Sequence, residues 1–167
     1  MESLRVPGRV IPKHSIGCAL LLCAFARAAD PPPIVPLTVC EVVSDLAAHE
    51  GKNYAVIGRY SYRRDGRWIG EDGCGSGTAT LWLSEDSAAA PRPPANYELD
   101  ASALNKKFSE MQKHTSLGKF RFGTPDYDRW AVVFGRVESR KGDDAKKAPA
   151  DLVFRGSGTV MFLTADR

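Results

Sequence analysis

Cys40 and Cys74 are the residues whose chemistry the sequence specifies most clearly. The chain has four cysteines, but Cys18 and Cys23 lie in an amino-terminal stretch typical of a removable secretory leader. Proteins that fold in an oxidising compartment usually pair their remaining thiols. The two are far apart in sequence and form no Cys-x-x-Cys motif, which argues against a redox-active pair. The sequence therefore predicts a structural disulfide between Cys40 and Cys74.

Cationic and aromatic side chains form the best candidate for ligand binding. An indole flanked by cations can stack against a flat ligand and hold it electrostatically. The alternative is that nearby aspartates neutralise the charge and that the tryptophans belong to the core or its rim. A separate strip with Arg121, Tyr127 and Arg129 is a second candidate surface. The predicted ligand-binding residues are Arg63, Arg64, Arg67, Trp68, Trp82 and Lys141.

The sequence contains no recognisable catalytic motif. Outside the leader it has only two histidines, His49 and His114, and each lies near a predicted helix end, where a cation is favoured. There is no Gly-x-Ser-x-Gly, His-Glu-x-x-His or phosphate-binding loop. The carboxylate pair Glu71-Asp72 falls beside a predicted turn, where solvated acidic residues are expected. We therefore expect no catalysis, no bound metal and no cofactor.

Two alternatives to that expectation stay open. A metal site built from the two cysteines and two histidines would lack the usual ligand spacing. An enzyme of unfamiliar type would be favoured by a deep pocket in which His49 or His114 meets a carboxylate. Surface exposure of both histidines would argue against it.

The leader is predicted for residues 1–28. Three basic residues precede an apolar run from Ser15 to Ala26, and Ala26-Arg27-Ala28 has the small-x-small form that signal peptidase accepts. The run is about twelve residues long, whereas a spanning helix needs roughly twenty. We expect a secreted or periplasmic protein with no membrane span in its mature form.

Loss of the leader would remove the net positive charge. The whole chain has a formal charge of +3, with 23 basic and 20 acidic residues. Four of the basic residues and one acidic residue lie in the leader, so 19 of each remain. A nearly neutral protein lacks the basic excess typical of nucleic-acid binding, which argues against nucleic acid as the partner.

The elements that must position the candidate residues follow from hydrophobic periodicity. Thr38-Val39-Cys40-Glu41 has the capping-box pattern, which predicts a short helix that ends before Gly51. A second helix is predicted from Asp100 until Gly118, with one apolar stripe. The Asp65-Gly66 pair between two β-rich runs predicts a hairpin. The five predicted strands cover residues 54–62, 68–70, 78–83, 130–137 and 152–163, the last bulged at Gly156 or Gly158.

The order of three strands, a helix and two strands resembles that of the OB-fold, a five-stranded Greek-key barrel. The runs Ala55-Val56-Ile57-Gly58-Arg59 and Ala131-Val132-Val133-Phe134-Gly135-Arg136 agree with it, since each has a glycine late in a strand that must bend sharply. The predicted class is mainly β (α+β), an OB-like barrel with a helix between strands 3 and 4 and an additional short N-terminal helix. The segment from Leu37 to Tyr60 also resembles the start of a group of uncharacterised secreted bacterial proteins.

The domain organisation predicted after the leader is simple. Residues 29–36 form a Pro-rich lead-in outside the core, and residues 37–167 form one OB-like domain. In such a domain the ligand usually lies across the second and third strands, between the loops after the first and fourth strands. We expect a monomeric, disulfide-stapled, non-catalytic binding or envelope-associated module whose partner is a protein or a glycan. The alternative is an oligonucleotide or anionic-glycan binder that uses the loop from Arg63 to Trp68.

Overall fold

The computed structural model describes residues 31–75, 77–118, 123 and 125–164. The predicted leader, residues 1–28, lies outside these ranges, as does Arg121 of the second candidate surface. The structure is mainly β, as predicted. Its elements in chain order are β1 (Leu37–Thr38), α1 (Val39–Ser44), α2 (Leu46–His49), β2 (Asn53–Arg63), β3 (Gly66–Cys74), β4 (Gly77–Glu85), α3 (Ala101–Met111), β5 (Tyr127–Ser139), β6 (Ala150–Phe154) and β7 (Val160–Leu163).

Five strands of the sheet form a partial ring. Strand β2 pairs antiparallel with both β3 and β5, and β3 pairs antiparallel with β4. Strand β6 lies between β4 and β5, parallel to the first and antiparallel to the second. The glycines in β2 and β5 permit close packing, since a Cβ at Gly58 would lie 2.7 Å from Ile69 and one at Gly135 would lie 2.7 Å from the Val153 carbonyl oxygen.

The expected fifth strand is instead two strands, which corrects the prediction of a single bulged one. A 3-10 turn, Ser157–Thr159, separates β6 from β7. Strand β6 pairs with the carboxyl-terminal half of β5, whereas β7 pairs with its amino-terminal half, from Trp130 to Val133. The chain therefore turns between two positions along the long strand β5.

The capping box starts a helix where the sequence predicts one. Thr38 Oγ1 accepts from the Glu41 N–H, while the Glu41 carboxylate accepts from the Thr38 N–H at 2.7 Å. The predicted single helix is divided at Asp45, whose side chain accepts from the Ala48 N–H and caps α2. Val39 and Val42 are fully buried, so α1 packs onto the inner face of the ring.

Helix α3 covers the opposite face of β2 and β5. Its Leu104, Phe108 and Met111 pack against residues that alternate with the inner core, among them Ile57 and Trp130. The helix begins after its cap Asp100, as predicted, but ends at Met111 rather than continuing to Gly118. The sheet thus has two apolar faces, one filled by α1 and the other covered by α3.

The described part of the predicted lead-in, residues 31–36, contacts the domain that follows it. The Ile34 N–H donates to the Glu98 carbonyl at 2.8 Å, and the Asp100 N–H donates to the Ile34 carbonyl at 2.9 Å. Ile34 packs on the cluster under α3, and Pro36 is buried. The segment therefore ties the amino-terminal side of the chain to the start of α3.

Candidate functional site

Trp68 and Trp82 form the floor of an open groove on the outer face of β3 and β4. Each alternates with core residues, Trp68 with Ile69 and Trp82 with Leu81 and Leu83, so its side chain lies on the side away from the core. The two residues are direct cross-strand partners, and their rings stack at 5.8 Å with an interplanar angle of 20°. We call this surface the tryptophan groove; it encloses about 390 Å³ and is lined by Asp65, Trp68, Thr80, Trp82 and Lys147.

A glycine in the hairpin turn makes room for the second indole. Gly66 has a φ of +148°, and a Cβ built on it would lie 2.2 Å from Cζ2 of Trp82. No side chain fits there unless the indole moves. The Asp65-Gly66 turn that the sequence predicts from turn chemistry therefore also fixes the position of the groove floor.

Arg63 stands at one end of the tryptophan pair. Its guanidinium lies 5.8 Å from the Trp68 ring centroid. It donates from Nη2 to Asp128 Oδ1 at 2.6 Å and from Nη1 to the Tyr127 carbonyl oxygen at 2.8 Å. These bonds hold the cation in place and neutralise much of its charge.

Asp128 is the buried carboxylate that holds the Arg63 guanidinium in place. Its side chain is 4% exposed, and its Oδ2 accepts from the Gly118 N–H at 2.6 Å. Burial alone would raise the pKa of this carboxyl, but hydrogen bonds from Arg63, Ser61 and Gly118 hold the pKa of Asp128 below its usual value.

Arg140 occupies the other end of the tryptophan pair. Its guanidinium lies 5.2 Å from the Trp82 ring centroid, and its side chain is 13% exposed. It contacts Asp151 at 3.4 Å and Asp144 at 3.6 Å. Its Nη1 is buried without a hydrogen-bond partner among the described residues. The two indoles thus lie between two arginines, each of them paired with carboxylates.

The structure brings together only part of the predicted ligand-binding set. Trp68 and Trp82 line the groove, and Arg63 lies beside Trp68 without lining it. Arg64 and Lys141 are exposed and do not line it. Arg67 lies on the opposite side of β3, where it pairs with Glu85 and lies 4.7 Å from the Phe154 ring, so it does not line the groove.

The predicted ligand-binding set leaves out four residues of the groove and its ends: Asp65, Thr80, Arg140 and Lys147. Thr80 had a usable signal, because it shares a strand face with Trp82 in the alternating run of β4. The position of Lys147, in contrast, depends on how the loop after β5 folds back, and no local pattern specifies that.

The second candidate surface is an aromatic cluster. Tyr127 stacks on Tyr60 and Tyr62, and the Arg129 guanidinium lies 5.3 Å from the Phe162 ring. Burial raises the pKa of Tyr127. The cavity beside it holds about 310 Å³ and includes Arg67 and Glu85, which pair with each other. On this surface Arg67 and Glu85 neutralise each other, whereas the exposed Arg129 lies over the Tyr127 and Phe162 rings.

A larger cavity, of about 510 Å³, lies between α1 and α3. His114 lies three residues beyond the end of α3, and its Nε2 lies 3.3 Å from Glu71 Oε1. Glu71 is in β3 and only 4% exposed, which corrects the prediction of a solvated turn residue. We call this cavity the His114 pocket; its lining is Thr38, Glu41, Glu71, Ala103, Lys106, Lys107, Glu110, Met111 and His114.

The predicted disulfide is present beside this pocket. Cys40 in α1 is bonded to Cys74 at the end of β3, with Cα atoms 5.3 Å apart. The Cys40 N–H donates to Glu71 Oε2 at 2.8 Å. His49, the other histidine, lies in the last turn of α2 and packs edge-on against Tyr54, at a ring distance of 4.9 Å. A pocket in which one histidine meets a buried carboxylate therefore exists, but the second histidine lies elsewhere.

Comparison with family models, with curated proteins and with solved structures finds no match for this chain. Among the described residues, no helix combines the length and apolar character that crossing a bilayer requires. Any functional conclusion therefore depends on the geometry of the two cavities.

Proposed function

We propose that this chain is a non-catalytic binding module whose ligand is a glycan held in the tryptophan groove. The observation that carries the proposal is the cross-strand pair of Trp68 and Trp82 in an open groove with a polar rim. Indole surface contacts the C–H faces of sugar rings, while Asp65, Thr80 and Lys147 offer acceptors and donors to their hydroxyl groups. The volume of the tryptophan groove is within the usual range for small-ligand sites, about 300–1,000 Å³.

The order of strand pairing supports an OB-like reading of the partial ring. Taking β2, β3, β4, β5 and β6 as strands 1 to 5, the neighbours run 1-2-3-5-4 with 4 beside 1. The groove then lies on strands 2 and 3. Asp65 comes from the loop after strand 1 and Lys147 from the loop after strand 4. These are the positions at which OB-folds commonly bind oligosaccharides and oligonucleotides.

Charge favours a glycan over an oligonucleotide. Arg63 is paired with Asp128, and Arg140 lies between Asp144 and Asp151. Asp65 adds a negative charge to the groove itself. A polyanion gains affinity by releasing counterions from unpaired cations, and here most of the cations already have partners.

Export to an oxidising compartment completes the proposal. The leader-like residues 1–28 and the Cys40–Cys74 bond both support a secreted or periplasmic protein. A module in that setting meets the saccharides of cell envelopes, which are ligands of the proposed class. The bond would act as a structural staple.

A glycan array followed by calorimetry on its best ligand tests the proposal. We expect Trp68→Ala and Trp82→Ala each to weaken binding about fivefold or more, because each removes a stacking surface and the loss of a base-stacking aromatic side chain costs about 1–3 kcal/mol. Phe162→Ala, which truncates an exposed aromatic residue outside the groove, should leave the affinity unchanged.

Salt dependence separates the glycan from the oligonucleotide alternative. Glycan affinity should change less than about twofold between roughly 50 and 500 mM salt. If no array glycan binds and an oligonucleotide or heparin is instead retained with a steep salt slope, the oligonucleotide or anionic-glycan reading replaces this one.

An enzyme is the second candidate function, and the Glu71–His114 contact is the observation in its favour. A buried carboxylate that orients an imidazole beside a cavity is an arrangement used in general-base catalysis. Turnover of any compound in a hydrolase substrate panel, abolished by Glu71→Gln and retained in Trp82→Ala, would support it. Absence of turnover across the panel would leave binding as the function.

A further inference from the structure

We infer that Cys40, Cys74, Glu71 and His114 form a zinc site when the disulfide is reduced. The inference concerns the His114 pocket and does not depend on the tryptophan groove. The two sulfur atoms and a Glu71 carboxylate oxygen lie within 4.8 Å of one another. Two thiolates, an imidazole and a carboxylate are all ordinary ligands of Zn²⁺.

The distances among Cys40, Cys74 and Glu71 suit a tetrahedral ion, whereas His114 lies outside that cluster and must shift toward the sulfur atoms to become the fourth ligand. Zinc bonds of about 2.0–2.3 Å place neighbouring donor atoms roughly 3.3–3.8 Å apart. His114 Nε2 and Glu71 Oε1 are already 3.3 Å apart. The sulfur atoms must separate from bonding distance, which cleavage of the disulfide allows.

Backbone contacts hold these side chains in place before any metal arrives. Glu71 Oε2 accepts from the Cys40 N–H, which leaves Oε1 as the free ligand oxygen on the side of His114. The His114 ring lies against Gly73, where a Cβ would come within 3.1 Å of its Cδ2. Such supporting contacts orient ligands in known metal sites.

A dithiol reductant can convert the Cys40–Cys74 disulfide into the two thiols that the zinc site needs. The reductant gives two electrons and two protons to the Cys40–Cys74 bond and becomes a disulfide itself, leaving two cysteine thiols. Zn²⁺ then displaces both thiol protons to solvent as the two Zn–S bonds form. Two thiolates and Glu71 give the occupied site one net negative charge, beside Lys106 and Lys107 in the pocket lining.

Zinc would therefore replace the disulfide as the cross-link between α1 and β3. In the oxidised chain a covalent bond joins α1 to the end of β3, and in the reduced chain zinc would join the same two cysteines. The two states exclude each other, because the sulfur atoms of a disulfide are not thiolate ligands.

Metal titration tests the site directly. The protein carries Cys18→Ser and Cys23→Ser, so that Cys40 and Cys74 are its only thiols, and a phosphine reductant is used because it does not compete for metal. Co²⁺ should give sulfur-to-cobalt charge-transfer bands and intense visible bands of tetrahedral geometry in the reduced form only. Zn²⁺ should displace it at one ion per chain.

Matched variants assign the ligands. Glu71→Gln and His114→Ala should each weaken Zn²⁺ binding about tenfold to a hundredfold. Glu110→Gln, which changes an exposed carboxylate of the same pocket lining, should have no effect. Equal affinity in all three variants would mean that the two cysteines bind alone, and would overturn the four-ligand site.

Circular dichroism recorded during the titration shows whether the reduced protein is folded when it meets the metal. If the reduced protein loses its fold and Zn²⁺ restores it, the site is supported, because ligand binding to the folded state stabilises that state. If the reduced protein stays unfolded with Zn²⁺ present, or folds and shows no charge-transfer band with Co²⁺, the inference is wrong.

Discussion

At the scale of single residues, Asp128 shows how a buried carboxylate can serve a surface site. It touches neither tryptophan, yet it fixes Arg63 at the end of the tryptophan pair and accepts from the Gly118 N–H. Substitution by asparagine keeps the shape and removes the charge. We expect Asp128→Asn to cost about 2 kcal/mol at neutral pH, as is usual for hydrogen bonds to a charged group.

The contribution of Asp128 to the free energy of unfolding should depend on pH. The pKa of Asp128 is lowered in the folded protein, so the carboxylate stabilises the fold above its unfolded-state pKa of about 3.9. That stability is lost as the pH falls through the folded-state pKa. Urea unfolding between roughly pH 7 and pH 3 should therefore show the gap between wild type and Asp128→Asn narrowing in acid.

Asp143 provides the control for that experiment. Its carboxylate is exposed and pairs only with Lys146, so Asp143→Asn should follow wild type at every pH. A gap for Asp128→Asn that stays constant down to about pH 3 would contradict the assigned role.

At the scale of elements, the β2–β3 hairpin couples a turn to the groove floor. Gly66→Ala should destabilise the protein by more than the backbone strain alone, because its Cβ collides with Trp82. Gly51→Ala measures that strain separately, since Gly51 also has positive φ, +71°, and open space around it. We expect about 1–2 kcal/mol for Gly51→Ala and a larger loss for Gly66→Ala in urea unfolding.

A double-mutant cycle locates the collision. In the Trp82→Ala background, Gly66→Ala should cost less than it does in wild type, because the clashing ring is gone and only the backbone strain remains. Additive losses for Gly66→Ala and Trp82→Ala would mean that the two residues do not interact.

Local patterns predicted those elements whose signals lie within a few residues. The capping box, the Asp65-Gly66 hairpin and the alternation in β4 are of this kind, and all three are confirmed. The break at Asp45 was missed because aspartate is acceptable both inside a helix and as the cap of a new one. The division between β6 and β7 depends on which half of β5 each strand pairs with, and that is a long-range property.

The sequence predicted the candidate site only in part, because several of its contacts join residues that are far apart along the chain. Trp68 and Trp82 were predicted to bind a ligand, while a place in the core or its rim stayed open. The opposite placement of Arg67 was missed because it was grouped with its sequence neighbours rather than by strand alternation. Glu71 was taken for a turn residue, since nothing near it in sequence reveals that α1 covers it. The loop after the fourth predicted strand was expected beside the ligand, but Lys141 was chosen from it where the structure places Arg140 against Trp82.

At the scale of the whole molecule, the disulfide joins the first helix to the ring. It closes a loop of 34 residues in sequence separation, a constraint valued at about 4 kcal/mol by chain-entropy models. Reduction in the presence of a chelator should therefore lower the melting temperature by roughly 10 °C. Thiol counting verifies the reduction, and an unchanged melting temperature would rule out a stabilising role.

The close approach of Gly66 to Trp82 limits how these two positions can differ between related chains. A chain that acquired a side chain at position 66 could not keep an indole at position 82, so the two positions should vary together in descendants of one ancestor. A glycine two residues before one tryptophan, with a second tryptophan fourteen residues after the first, is therefore a signature to look for. Chains that keep all three residues should have inherited the groove, and those that lost the glycine should have displaced or replaced the second indole.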